Sequence, residues 1–292
     1  MSASIWIEAA RPRTLSAAVA PVVVGTAAAE AITAWWRAGA ALVVALAVQV
    51  AVNYANDYFD GIRGVDTPDR VGPRRAVSAG LVAPARMRLA MLAALAVAAA
   101  AGTTLAAATT WWLLGLGAVC FVAALGYSGG PRPYASAGLG EVFVFVFFGL
   151  VATAGTAFVQ DEVLTAVALL AGVPVGLLAV AILVANNLRD LPTDAQAGKL
   201  TLAVRIGEAR TRLLYVALVL GTFGSLPAIV VAKGSGWPVL ALAAAPFALL
   251  PAREVMAGAI GPRLIPVLVG TARLQLAFAV LLAAGLWAGR GP

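Results

Sequence analysis

Apolar residues dominate nine stretches of the chain, near 14–34, 38–59, 86–108, 111–128, 137–159, 163–188, 210–232, 236–256 and 265–288, and polar residues gather between them. Each is about the 20 residues that a helix needs to cross a ~30 Å hydrocarbon layer. Lipid offers no partner to open backbone groups, so the stretches predict helices rather than sheet edges. The expected fold is an all-α membrane protein with about nine transmembrane helices around a central cavity opening to the cytoplasmic side. Residues 1–292 are read as a single polytopic domain. Glu8 to Arg13 precede the first stretch and comparable stretches follow it, so it is read as a span rather than a cleaved signal.

Charge sets the expected orientation. With the N-terminus in the cytoplasm, Arg37, Lys233 and Arg290 fall outside, and the other 17 of the 20 basic residues fall inside. The formal charge of +7 is therefore assigned to membrane orientation and not to nucleic acid. Trp35, Trp36, Trp111, Trp112, Trp237 and Trp287 lie near the outer ends of the predicted spans, as an aromatic belt would. The localisation that follows is a multi-pass protein of the bacterial cytoplasmic (inner) membrane, with the long polar loops 61–85, 129–136 and 188–209 inside.

Composition narrows the chemistry. The chain is 62% apolar and 11% charged, with mean hydropathy +0.95, which excludes an ordinary water-soluble domain. It contains no histidine, which removes imidazole bases, His-ligated metals and Ser-His-Asp hydrolysis. Its one cysteine, Cys120, sits in an apolar run and reads as packing.

Two acidic constellations stand out. Asn53, Asn56, Asp57 and Asp60 share one helical face at i,i+3 and i,i+4 spacing, and Asp66 and Asp69 follow in a loop rich in arginine. Asn186, Asp190 and Asp194 step by four, with Pro192 expected to kink or break the last turn. The segments 55–60 and 185–190 share Ala-Asn-x-x-x-Asp, 130 residues apart, which suggests an old repeat of about 14–128 and 137–256.

Carboxylates at the end of a membrane helix are costly unless water, a partner or a metal faces them. Mg²⁺ suits such a set, because it takes one or two carboxylates together with substrate phosphates. Asp57, Asp60, Asp66, Asp190 and Asp194 are thus candidate metal ligands, and Asp57, Asp60, Asp190 and Asp194 the candidate catalytic set. Asn53, Asn56, Asn186, Arg189, Lys199 and Arg205 are candidates for gripping a diphosphate. Tyr127, Arg132, Tyr134 and Glu141 are candidates for an aromatic substrate. Phe143, Phe145, Phe147 and Phe148 read better as lipid or packing contacts than as a tunnel lining, and Arg75 as either an interfacial or a site residue.

At these residues the sequence resembles the UbiA-type intramembrane prenyltransferases. Asn-Asp-x-x-Asp at 56–60 and Asp-x-x-x-Asp at 190–194 look like that family's two aspartate motifs. Gly64 stands where the family often carries a further Asp. Ala10 to Leu15, Asn53 to Tyr58, Asn186 to Asp190 and Gly198 to Arg205 look like the branch acting on 1,4-dihydroxy-2-naphthoate. The resemblance implies Mg²⁺-dependent transfer of a polyprenyl group from polyprenyl diphosphate to that acid, with decarboxylation to demethylmenaquinone. The rivals are another acceptor, such as 4-hydroxybenzoate or a sugar phosphate, and a secondary transporter, whose charges belong near the bilayer midplane.

Overall fold

A computed structural model of the chain describes residues 3–64, 72 and 75–290. Among these residues every regular element is helical. A short helix α1 (Ala3–Ala10) and a one-turn 3-10 segment lead into α2 (Ser16–Ala28), α3 (Trp35–Arg63), α4 (Pro84–Ala108) and α5 (Trp112–Gly126). After a tyrosine-bearing loop come α6 (Gly140–Val144), a π-helical segment Phe145–Val151 and α7 (Ala152–Asp161), stacked as one rod. The chain ends with α8 (Ala166–Gln196), α9 (Leu202–Gly224), α10 (Leu226–Lys233), a 3-10 segment Trp237–Ala244, α11 (Pro246–Met256) and α12 (Leu264–Ala288).

Length separates the expected spans into two kinds. Among the described residues six helices are long and apolar enough to cross a bilayer, and the pair 237–244 and 246–256, bent by 44°, makes a seventh. The other two expected spans fall on α2 and α5, of 13 and 15 residues. At 1.5 Å per residue these reach only about 20 and 22 Å, short of the hydrocarbon thickness by themselves. By contrast α3 and α8, with 29 and 31 residues, reach about 44 and 46 Å. Both are thus longer than a ~30 Å layer requires, and the two acidic constellations lie in their C-terminal parts.

α8 is the most enclosed of the six spans and packs against α2, α7, α9, α12 and the π segment. Its small residues make this possible. A Cβ added at Gly176 would stand 2.8 Å from Phe145 Cδ2 and 3.0 Å from the Gly149 Cα, so bare backbone is what lets the rods touch. Thr165 caps the helix start, its hydroxyl accepting from the Ala168 amide at 3.1 Å. Pro192 does not break α8, contrary to the sequence expectation: the helix continues to Gln196, and Thr193 Oγ1 donates to the Asp190 carbonyl in the turn affected. A proline removes one amide and leaves the neighbouring bonds intact, so packing carries the helix through. α9, in contrast, is interrupted at Gly207, whose φ of 80° only glycine tolerates well.

At the end of the bundle away from the aspartates, two arginines tie helix ends together. Arg37 donates to the carbonyls of Ala108, Val159 and Gln160, and Arg290 to those of Thr26, Ala27 and Ala29. The six tryptophans expected there are exposed, and Trp35 stacks on Trp287 at 5.9 Å.

Candidate active site

The polar face of α3 is buried along its whole last two turns, and its four side chains are held by different partners. Asn53 Nδ2 donates to the Ala10 carbonyl at 2.8 Å, and Asn56 Oδ1 accepts from the Ser128 hydroxyl. Asp57 accepts from the Ala76 and Val77 amides, each at 2.9 Å. Asp60 Oδ2 accepts from Arg75 Nη2 at 3.0 Å and from Lys199 Nζ at 3.1 Å. A buried carboxylate that has lost its water needs such partners, because an unpaired one would cost several kcal/mol.

On α8 the arrangement is more compact. Arg189 binds Asp190 through Nε to Oδ1 and Nη2 to Oδ2, both at 2.7 Å, and Nη2 also donates to Asn186 Oδ1 at 2.8 Å. The next residue of the helix turn, Asn187, donates to Glu141 Oε1 at 2.9 Å. The ion pair from Lys199 to Asp60 spans 139 residues of sequence and brings the two constellations together.

Both constellations line one cavity of about 1060 Å³. Its polar end holds Asn53, Asn56, Asp60, Arg75, Asn186, Arg189, Asp190, Asp194 and Lys199, and its apolar part runs between α3, α4, α5 and α7. One stripe of α3 lines it at Ala41, Val44, Ala45, Val48, Gln49, Val52, Asn53, Asn56 and Asp60. From Ala41 to Asp60 that stripe covers 19 residue steps, roughly 28 Å of helix. A wall of rings completes it: Tyr134 stacks on Phe143 at 3.9 Å, and Tyr127 meets Tyr134 edge-on at 5.4 Å.

Several expectations need correction. Asp57 does not line the cavity; it anchors the turn 75–82. Arg132 and Arg205 are exposed and do not line the cavity, Arg205 donating to the Leu200 carbonyl at 3.1 Å. Glu141 is buried behind Asn187 rather than in the lining. Phe143, Phe147 and Phe148 do line the cavity, against the packing reading, while Phe145 joins the core. Asp66 and Asp69 lie outside the described residues. Arg11 and Asn187 line the site without having been singled out for it, although they belong to the quoted blocks 10–15 and 186–190.

Among the described residues no three acidic, cysteine or histidine side chains converge as a ready metal cage. The donor set still fits Mg²⁺. Asp60 on α3 and Asp190 and Asp194 on α8 offer hard oxygens to one cavity, and this cation completes its shell with substrate phosphates.

Residues 18–259 match the model of the UbiA prenyltransferase family. Among curated proteins, the chain is 49% identical over 283 residues to the 1,4-dihydroxy-2-naphthoate octaprenyltransferase of Mycobacterium tuberculosis, covering 96% of each chain. It is 36% identical to the enzyme of the same name from Escherichia coli, covering 86% of this chain and 84% of that one. Among solved structures, a UbiA homolog from Aeropyrum pernix superposes with a TM-score of 0.71 at 19% identity, over 93% of this chain and 96% of that one. A UbiA homolog from Archaeoglobus fulgidus bound to GPP and Mg²⁺ gives 0.66 at 14% identity, over 95% and 99%.

Proposed function

This chain belongs to the UbiA prenyltransferase family, and from that membership we propose that it transfers a polyprenyl group from polyprenyl diphosphate to 1,4-dihydroxy-2-naphthoate in menaquinone synthesis. The reaction is the one named for its mycobacterial and enterobacterial relatives. The observation that carries the reading is that both aspartate motifs line one largely apolar cavity, with Lys199, just past the second motif, ion-paired to Asp60 of the first.

The residues divide the work. Asp60, Asp190 and Asp194 would hold the metal, with Asn56 and Asn186 also lining the cavity. Bound Mg²⁺ supplies charge neutralisation for the leaving diphosphate. Arg75, Lys199 and Arg189 already sit within 3.1 Å of those carboxylates, so they can turn to the diphosphate oxygens when the acids take up the cation. The prenyl tail lies along the apolar stripe of α3. Tyr127, Tyr134 and Phe143 present a flat slot for the naphthoate ring. The C–O bond of the diphosphate ester breaks, the electron-rich ring carbon bonds to the allylic carbon, and the ring carboxylate leaves as carbon dioxide. Rearomatisation follows with no histidine required.

We also read the chain as one domain that crosses the bacterial cytoplasmic membrane nine times, α2 and α5 included, with the N-terminus and cavity mouth inside. The charge distribution supports that orientation, and the placement of both Ala-Asn-x-x-x-Asp segments at equivalent ends of α3 and α8 supports an ancient duplication.

Purified protein supplied with Mg²⁺, octaprenyl diphosphate and 1,4-dihydroxy-2-naphthoate is expected to give a prenylated, decarboxylated product by mass spectrometry. Chelation should stop turnover and added Mg²⁺ restore it. Turnover indifferent to chelator would remove the metal from the scheme, and 4-hydroxybenzoate consumed in preference would change the acceptor.

A further inference from the structure

The turn between α1 and α2 is strained and heavily braced. Arg11 adopts φ 53° and ψ 68°, a left-handed conformation unusual for a residue with a side chain. Both carbonyls around it are pinned: Asn53 Nδ2 takes the Ala10 oxygen at 2.8 Å, and the Thr14 amide and hydroxyl take the Arg11 oxygen at 2.9 and 3.0 Å. Thr14 Oγ1 in turn accepts from Gln49 Nε2 at 3.2 Å and Asn53 Nδ2 at 3.4 Å. Two polar residues of α3, buried one and two turns before the aspartates, therefore hold the turn from the cavity side. Strain kept in place by its surroundings is found where a side chain has to be aimed.

What the turn aims is Arg11, which is half-buried and lines the cavity together with the tyrosine wall. Its neighbour Arg13 and the nearby Glu8 also reach the cavity but are exposed. The acceptor ring brings a carboxylate into a cavity that already carries Asp60, Asp190 and Asp194. Like charges in a low-dielectric site repel strongly, so the acid needs a cation at its own end. Arg75, Lys199 and Arg189 lie at the aspartate end, in the ion pairs described above, and Arg11 enters the lining from the α1–α2 turn instead. Resting on the acceptor reading above, we propose that Arg11 binds the carboxylate of the aromatic acid, and that Gln49, Asn53 and Thr14 are positioning residues that hold its turn.

Arg11→Gly tests this cleanly, because glycine relaxes the left-handed backbone while removing the guanidinium. KM for 1,4-dihydroxy-2-naphthoate is expected to rise about tenfold or more, the loss of a charged hydrogen bond. KM for the polyprenyl diphosphate should stay as in the wild type, which also reports an intact site. Arg11→Lys should recover part of the loss. With 1,4-dihydroxynaphthalene, which lacks the carboxylate and gives up a ring proton instead, wild type and Arg11→Gly should turn over alike. An equal loss with both acceptors, or an unchanged acid KM in Arg11→Gly, would overturn the assignment. A wild type that prenylates neither naphthalene compound would instead overturn the acceptor reading itself.

Discussion

Asp57 and Asp60 sit three residues apart on one helical face, yet the structure gives them different work. Asp60 faces the cavity between Arg75 and Lys199. Asp57 is buried against two amides of the turn 75–82. Asp60→Asn and Asp190→Asn are each expected to lower turnover by about 100-fold or more while leaving the protein folded and extractable, because each removes charge the reacting centre needs. Asp57→Ala should act first on stability. It strips two charge-assisted bonds from buried amides, costing about 3 kcal/mol or more, so thermal unfolding in detergent should come several degrees earlier. Equal melting temperatures for Asp57→Ala and wild type would return Asp57 to the catalytic group. The i,i+3 and i,i+4 spacing made the shared face legible, since helical geometry alone decides it. Which carboxylate meets backbone and which meets the cavity depends on a loop about 20 residues downstream, and no local pattern encodes that.

At the scale of elements, small residues decide how closely the rods approach. Gly149, Gly172 and Gly176 bring the π segment and α8 into backbone contact, and the tunnel-facing Phe143, Phe147 and Phe148 are set by that rod's rotation. Gly176→Val places methyl groups where the Phe145 ring and the Gly149 backbone already stand. Its folded yield in detergent, read by size-exclusion chromatography, should fall steeply, whereas Gly155→Val, whose Cβ meets nothing within 4 Å, should express like wild type. Comparable yields would show that the contact is slack. The sequence marks these positions only as small residues in an apolar run. A π turn changes which side chains face the cavity, and its hydrogen-bond register leaves no periodic signature in so short a stretch.

Across the whole molecule, the acidic constellations and six of the seven tryptophans lie at opposite ends, and the Arg37 and Arg290 staples close the tryptophan end. In a Cys120→Ser background, a cysteine placed at Ser235 should react with a membrane-impermeant thiol reagent added to intact cells. One placed at Gly198 should react only after the membrane is opened. The reverse pattern would invert the orientation and move the site to the other face. Hydrophobic lengths and the bias of basic residues fixed the class of protein, the approximate spans and the expected orientation, because lipid imposes those requirements locally on every segment. The family motifs marked the two acidic helix ends for the same reason: a carboxylate there is too costly to be incidental. Only tertiary structure decided which of those acids share a cavity, that Lys199 pairs with Asp60, that Asn53 and Gln49 brace a distant turn, and that α2 and α5 are helices of only 13 and 15 residues. Those outcomes rest on contacts between residues tens to more than a hundred positions apart, and such contacts exist only once the helices have packed.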